Sequence, residues 1–231
     1  VGVAKALEEY QIPIDVIAGS SVGAIGALML ATGFPYERLE QYVFNTDLEA
    51  MLNDCWKIME PVNLIEKGGF HNGDHFVEWF GDIIKEVTGD PDCSFQKWHD
   101  LKIQFPEKKM KDLIVEACNL NTCLNEVFSF KLAPDIAIRQ ALRASIGFPI
   151  VFTNWTLGPY QYADGGIQAN CPIQIFNMPD GAADPTALGV WLSSKQETEY
   201  LEKGSEPIRP VHTLIERIEA LIESSLNGQT F

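Results

Sequence analysis

The pentapeptide Gly19-Ser20-Ser21-Val22-Gly23 constrains this chain more than any other stretch, because of what stands on either side of it. Upstream, residues Ile12 to Ala18 (IPIDVIA) form a β-branched apolar run bounded by proline and glycine, which predicts a buried strand of a parallel sheet. Downstream, Ala24 to Ala31 is apolar nearly all round, which predicts a fully buried helix closed by Gly33 and Pro35. A strand that becomes a helix within five residues must turn sharply. Gly19 and Gly23 are then expected where a Cβ would strike neighbouring backbone. Ser21 would stand at the C-terminal end of the strand, beside the free backbone N–H of Val22 and the positive end of the helix dipole. That is the setting an acyl-transfer nucleophile needs. The alternative is a glycine-rich turn that only packs a helix closely or cradles a phosphate; a Walker loop is excluded, because no Gly-Lys-Ser/Thr follows.

The rest of the chain supports an α/β class. Val1 to Tyr10 has the spacing of a short amphipathic helix, and Glu37 to Leu52 and His75 to Val87 have helical spacing too. Lys67 to Gly73 reads as a turn-rich loop. Asp112 to Leu120 and Val127 to Leu132 read as strands joined through Asn121-Thr122, Ile136 to Ser145 as a short helix, and Ala187 to Ser193 as a further strand. Lys195 to Pro210 reads as a polar surface loop, and 211–226 as a C-terminal amphipathic helix. No linker divides the sequence, so 1–231 is expected to form one domain.

Composition narrows the partners. With 17 Lys+Arg against 32 Asp+Glu, the net charge is -15, which argues against nucleic acid and against adhesion to anionic membranes by charge alone. Five cysteines with no C-x-x-C pair suggest neither a zinc ribbon nor a disulfide framework, which favours a reducing compartment. No apolar run is long enough to span a bilayer. A cytoplasmic location, with peripheral contact at membranes, is the expectation.

A serine nucleophile needs a base, and two arrangements compete. His212 lies downstream in the order a Ser–His–Asp α/β-hydrolase would need, but it falls between Pro210 and the terminal helix. Asp164, in Tyr162-Ala163-Asp164-Gly165-Gly166, ends a short apolar run, and the two glycines leave its carboxylate projecting; a plain Asp-Gly hairpin turn fits the same spacing. His71 and His75, four residues apart, suit a solvated loop pair better than a metal site, since Gly68, Gly69 and Gly73 break a helix there. Phe70, Phe76, Trp79 and Phe80 suit either core or an acyl pocket.

Three ordered blocks together resemble the patatin-like phospholipases: Ile14 to Ala24 around Ser21, Ala144-Ser145-Ile146-Gly147-Phe148-Pro149, and Asp164 to Pro172 with its Asp-Gly-Gly opening. The resemblance implies a three-layer α/β/α sandwich with a mainly parallel central sheet. It implies a lipid acyl hydrolase in which Ser21 is the nucleophile and Asp164 the general base, with no metal and no cofactor. Gly19, Gly23, Gly165 and Gly166 are the motif glycines, and the substrate is a phospholipid or neutral-lipid acyl ester. The family's first strand and Gly-rich oxyanion loop are expected upstream of Val1, leaving the Val22 N–H as the oxyanion donor within this sequence. Two alternatives stay open: a Ser–His–Asp esterase using His212, and a catalytically inactive binding module of the same fold.

Overall fold

The computed structural model describes residues 1–47, 50–51, 69–190, 211–213, 216–217 and 220. The chain divides into two compact units, Val1–Pro172 and Ile173–Phe231.

In the first unit, α1 (Gly2–Glu9) leads to β1 (Val16–Ser20). This strand starts later than the apolar run suggested, because Pro13 has no N–H to give a ladder and Ile12 and Pro13 are exposed. α2 (Val22–Ala31) follows at once and buries Ala24, Ala27, Leu28, Met29 and Ala31, as expected of a helix apolar all round. α3 (Tyr36–Asn45) buries Leu39. α4 (Asp74–Thr88) buries Phe76, Phe80, Ile83 and Ile84, so Phe76 and Phe80 belong to the core. Gly69–His71 is not simply a turn: it forms β2, paired in parallel with β5 (Ile150–Phe152) in a separate two-stranded sheet. α5 (Phe95–Gln104) is a helix whose N-cap, Ser94, accepts the Lys97 N–H at 3.3 Å while Phe95 and Trp98 are buried. α6 (Ile138–Ser145) carries Ile138, Ala141, Leu142, Arg143, Ala144 and Ser145 into the interior.

The central strand is β3 (Asp112–Asn119). Val115 and Ala117 point to one face and Glu116 and Cys118 to the other, and all four are buried, so both faces are covered. β4 (Leu124–Phe128) pairs antiparallel along one edge, from Val115↔Phe128 to Asn119↔Leu124. It starts earlier than expected because the Asn119 side chain closes the turn, accepting the N–H groups of Asn121 at 3.0 Å and Thr122 at 3.2 Å. Two strands share the other edge. β1 pairs in parallel from Val16↔Asp112 to Ser20↔Glu116. β7 (Tyr160–Ala163) pairs antiparallel at Cys118↔Ala163 and Asn119↔Tyr162, and β6 (Trp155–Leu157) pairs antiparallel with β7. The central sheet is therefore mixed among the described strands, and only β1 with β3 is parallel, which corrects the mainly parallel expectation. The reason is local: β3–β4 and β6–β7 are hairpins, and hairpin strands must run antiparallel.

β1 ends opposite Glu116 and β7 ends opposite Cys118. Two strands arriving from opposite directions along one edge thus stop on either side of Ala117. The residues that leave the sheet there, Ser21 and Asp164, are forced into proximity although 143 positions separate them.

The second unit is described in part. Ala187 to Val190 form no strand, and Leu188 and Val190 are exposed; an apolar run makes a strand only where a neighbour can take its hydrogen bonds. Residues 191–193 of that expected strand, and the loop from 195 to 210, lie outside the described residues. The terminal helix is seen at Glu216, Arg217 and Ala220, and its start is a capping box: Glu216 Oε2 accepts from the N–H of His212 and of Thr213 at 2.7 and 2.8 Å, while Thr213 Oγ1 accepts from the Glu216 N–H at 3.2 Å. Among the described residues no helix is long and apolar enough to cross a membrane.

Candidate active site

Ser21 has φ 54° and ψ −132°, a conformation an L residue adopts only when the surroundings impose it. The imposition is a pair of fixed ends. β1 holds Ser20 in register with Glu116, and α2 begins at Val22. Gly19 is obligatory in this turn, because a Cβ there would run into the Gly23 carbonyl and lie 2.7 Å from Ala24 Cα. Gly23 is different: nothing lies within 4 Å of where its Cβ would be, so its role is not relief of a clash. Gly19→Ala is therefore expected to lower stability by about 1–3 kcal/mol, whereas Gly23→Ala leaves it unchanged or slightly raises it; thermal melts of the two variants make the comparison.

The strained turn is anchored from α6. The Ser21 N–H donates to Ser145 Oγ at 3.0 Å, and the Ser145 hydroxyl in turn donates to the Glu116 carbonyl at 2.6 Å, so one buried side chain ties the serine to β3. Nothing in the sequence singles out Ser145 for this task, although it lies in the Ala144-Ser145 block that carries part of the family resemblance. α6 is itself pinned by Arg143, whose buried guanidinium donates to the carbonyls of Asn72 (2.9 and 2.7 Å) and Thr153 (3.0 Å) and lies against the rings of Phe152 and Trp155.

Ser21 Oγ donates to Asp164 Oδ2 at 2.5 Å. The other carboxylate oxygen, Oδ1, accepts the Gly166 N–H at 2.8 Å, and the Asp164 N–H donates to the Gly147 carbonyl at 3.0 Å. Gly165 cannot carry a side chain, since a Cβ would strike the Glu116 carbonyl and lie 2.6 Å from Ser20 Oγ. The carboxylate is thus oriented at both oxygens while only 2 % of Asp164 is exposed. Burial pushes its pKa up to about 6, opposed by the hydrogen bonds from Ser21 and Gly166 that favour the charged form. A hydroxyl on a strained turn, hydrogen-bonded to a carboxylate of raised basicity, can lose its proton as the oxygen bonds to carbon. The Val22 N–H, in the first turn of α2, has no acceptor within the helix and directly follows Ser21, which leaves a donor beside the nucleophile for a developing oxyanion.

Residues 1–177 match the family described as patatin-like phospholipase. The chain belongs to the patatin-like phospholipase family. Among its relatives by sequence, an uncharacterised protein of Acanthamoeba polyphaga mimivirus, R571, is 29% identical over 186 residues, 80% of this chain and 57% of the relative. The probable lipid hydrolase 463L of Invertebrate iridescent virus 6 is 38% identical over 69 residues, 30% of this chain and 24% of the relative. The crystal structure of VipD from Legionella pneumophila shares the fold, with a TM-score of 0.58 and 17% identity over 72% of this chain and 43% of that one. The chain therefore spans little more than half of R571 and less than half of VipD.

The remaining candidates have surroundings of their own. The His212 side chain is exposed in the second unit, and its backbone N–H serves the cap of the terminal helix. His71 packs edge-on against Phe152, and His75 Nδ1 lies 3.5 Å from Glu78 Oε2. Trp79 packs against Phe80 in the core, while the side chain of Phe70 lies outside the described residues.

Proposed function

We propose that the protein is a lipid acyl hydrolase of the serine type, working through Ser21 and Asp164 without a histidine. The observation that carries this reading is the 2.5 Å hydrogen bond from Ser21 Oγ to a buried, doubly oriented carboxylate. Ser21 Oγ attacks the ester carbonyl carbon as its proton passes to Asp164 Oδ2, and the carbonyl oxygen, now negative, is met by the Val22 N–H. The tetrahedral species collapses: the carbonyl re-forms, the carbon–oxygen bond to the alcohol breaks, and the alcohol leaves with the proton from Asp164. Water then attacks the acyl-serine, gives a proton to Asp164, and the second collapse frees the fatty acid while that proton returns to Ser21 Oγ. Ser145 and Gly166 position the two reacting groups.

The substrate class follows from the family and from charge. An acyl ester of a phospholipid or neutral lipid suits a patatin-like chain, and the net charge of -15 favours uncharged or zwitterionic lipid over acidic lipid. The test is hydrolysis of p-nitrophenyl butyrate and of phosphatidylcholine, followed as a function of pH. Because the base must be ionised, kcat/KM is expected to rise tenfold per pH unit below about 6, the Asp164 value, and to level off above it. His212→Ala should leave that profile unmoved. A profile abolished by His212→Ala would replace this reading by a Ser–His–Asp enzyme.

A further inference from the structure

Two stretches meet at the outer, catalytic end of the central sheet and carry no charge. Residues 117–125 and 144–163 contain no Asp, Glu, Lys or Arg, although the chain as a whole is 21% charged. The first holds the β3–β4 turn and the second the β6–β7 turn, and they are locked together. The Leu120 N–H donates to the Gln161 carbonyl at 2.9 Å, and the Gln161 N–H donates to Asn121 Oδ1 at 2.7 Å. The flanking Glu126 is turned inward, accepting from Asn119 Nδ2 and the Tyr162 hydroxyl, both at 2.8 Å.

The level of this double hairpin follows from register. Ser20 lies opposite Glu116, and β3 continues past it to Asn119 and Leu120. At about 3.3 Å per residue, Leu120 stands roughly 13 Å beyond Ser20 on the side to which Ser21 opens. At this end Leu120, Leu124 and Tyr160 are 40%, 65% and 42% exposed, and Val22 at the start of α2 is exposed as well. Exposed leucines joined to a tyrosine, whose ring is apolar and whose hydroxyl is polar, suit the boundary between water and lipid. The rest of the chain is strongly acidic, so the uncharged tip is where an electrically neutral surface can approach without crossing unpaired charge.

We infer that the β3–β4 and β6–β7 turns are the edge by which this protein docks on a neutral or zwitterionic lipid surface, presenting Ser21 to esters held there. The inference rests on the proposed hydrolase activity for its purpose, but not for its test. Binding is measured by co-sedimentation with phosphatidylcholine vesicles, using the Ser21→Ala protein so that no substrate is consumed. The double variant Leu120→Glu/Leu124→Glu, added to Ser21→Ala, is expected to bind at least about tenfold more weakly. Leu132→Glu serves as the control, since Leu132 is 69% exposed in the turn after β4, at the opposite end of the sheet, and its binding should be unaltered. In the active protein the double variant should lower the ratio of vesicle-lipid to soluble p-nitrophenyl butyrate turnover by a similar factor. Equal vesicle binding by the double variant and its parent, equal loss with Leu132→Glu, or no vesicle binding by the Ser21→Ala protein overturns the docking edge. So does gel filtration showing that the double variant separates a dimer into monomers, which would make a second copy the occupant. Vesicle binding that depends on the leucines while no ester is cleaved by the active protein keeps the docking edge and removes the hydrolase reading.

Discussion

Ser21→Ala will lower hydrolysis of p-nitrophenyl butyrate by about 10⁴-fold or more while the protein keeps its fold. The size follows from the proposed mechanism: without Oγ there would be no acyl-enzyme, and what remained would be binding and whatever the Val22 N–H supplied to attack by water. Retention of the fold follows from the local structure. The contacts that build the turn are made by backbone and neighbours: the Ser21 N–H to Ser145 Oγ, the Ser145 hydroxyl to the Glu116 carbonyl, and the close approach of Gly19 to Gly23. Alanine keeps all of them. Far-ultraviolet circular dichroism should match the parent and unfolding should stay cooperative, with the melting temperature lowered only by the loss of the Ser21 donor to the buried Asp164 carboxylate; activity within tenfold of the parent in such a folded variant would remove Ser21 from the chemistry.

Asp164→Asn will abolish the same activity and make the protein more stable at neutral pH. Asparagine keeps the shape and can still accept the Gly166 N–H, but it cannot take a proton from Ser21. The stability follows from linkage. The carboxyl moves from 3.8 in an open chain to about 6 in the fold, so above pH 4 the unfolded state loses its proton first and folding is disfavoured. The penalty is absent below about pH 4, grows as pH rises towards 6, and levels off at about 3 kcal/mol. A neutral amide in place of the carboxyl does not incur it. Denaturant melts at pH 8 should show the variant more stable by up to that amount, the difference vanishing near pH 4. A variant less stable than its parent at pH 8 would mean that the buried carboxylate is compensated by contacts other than those described.

How much of this was legible from the amino acids depends on the range over which each signal acts. The turn at Ser21 was readable because its causes are local: an apolar strand, an apolar helix and a glycine between them. Asp164 was not readable from spacing alone, since an Asp-Gly-Gly turn looks like many hairpins. What makes it a partner of Ser21 is that β1 and β7 end on either side of Ala117, and register across three strands is a property of pairing that no short window carries. The mixed sheet escaped for a similar reason. Leu124-Asn125-Glu126, ahead of the expected strand start at Val127, joins the sheet only because Asn119 closes the turn before it and pairs it with β3. Ser145 stands in a block that resembles the family, but its use as an acceptor for the Ser21 N–H exists only once α6 lies over β3. The expectation for Ala187 to Ser193 failed over the residues described because apolar composition alone provides no partner strand.

The central claim is that Asp164 activates Ser21, and covalent labelling tests it most directly. The protein is treated at pH 8 with a fluorophosphonate, and the modified residue and labelling rate are read by mass spectrometry for the parent, Asp164→Asn and His212→Ala. One adduct is expected, on Ser21, formed at the parental rate in His212→Ala and at least about 10²-fold more slowly in Asp164→Asn. An adduct on another residue, or Ser21 labelled equally fast without the Asp164 carboxylate, would contradict it.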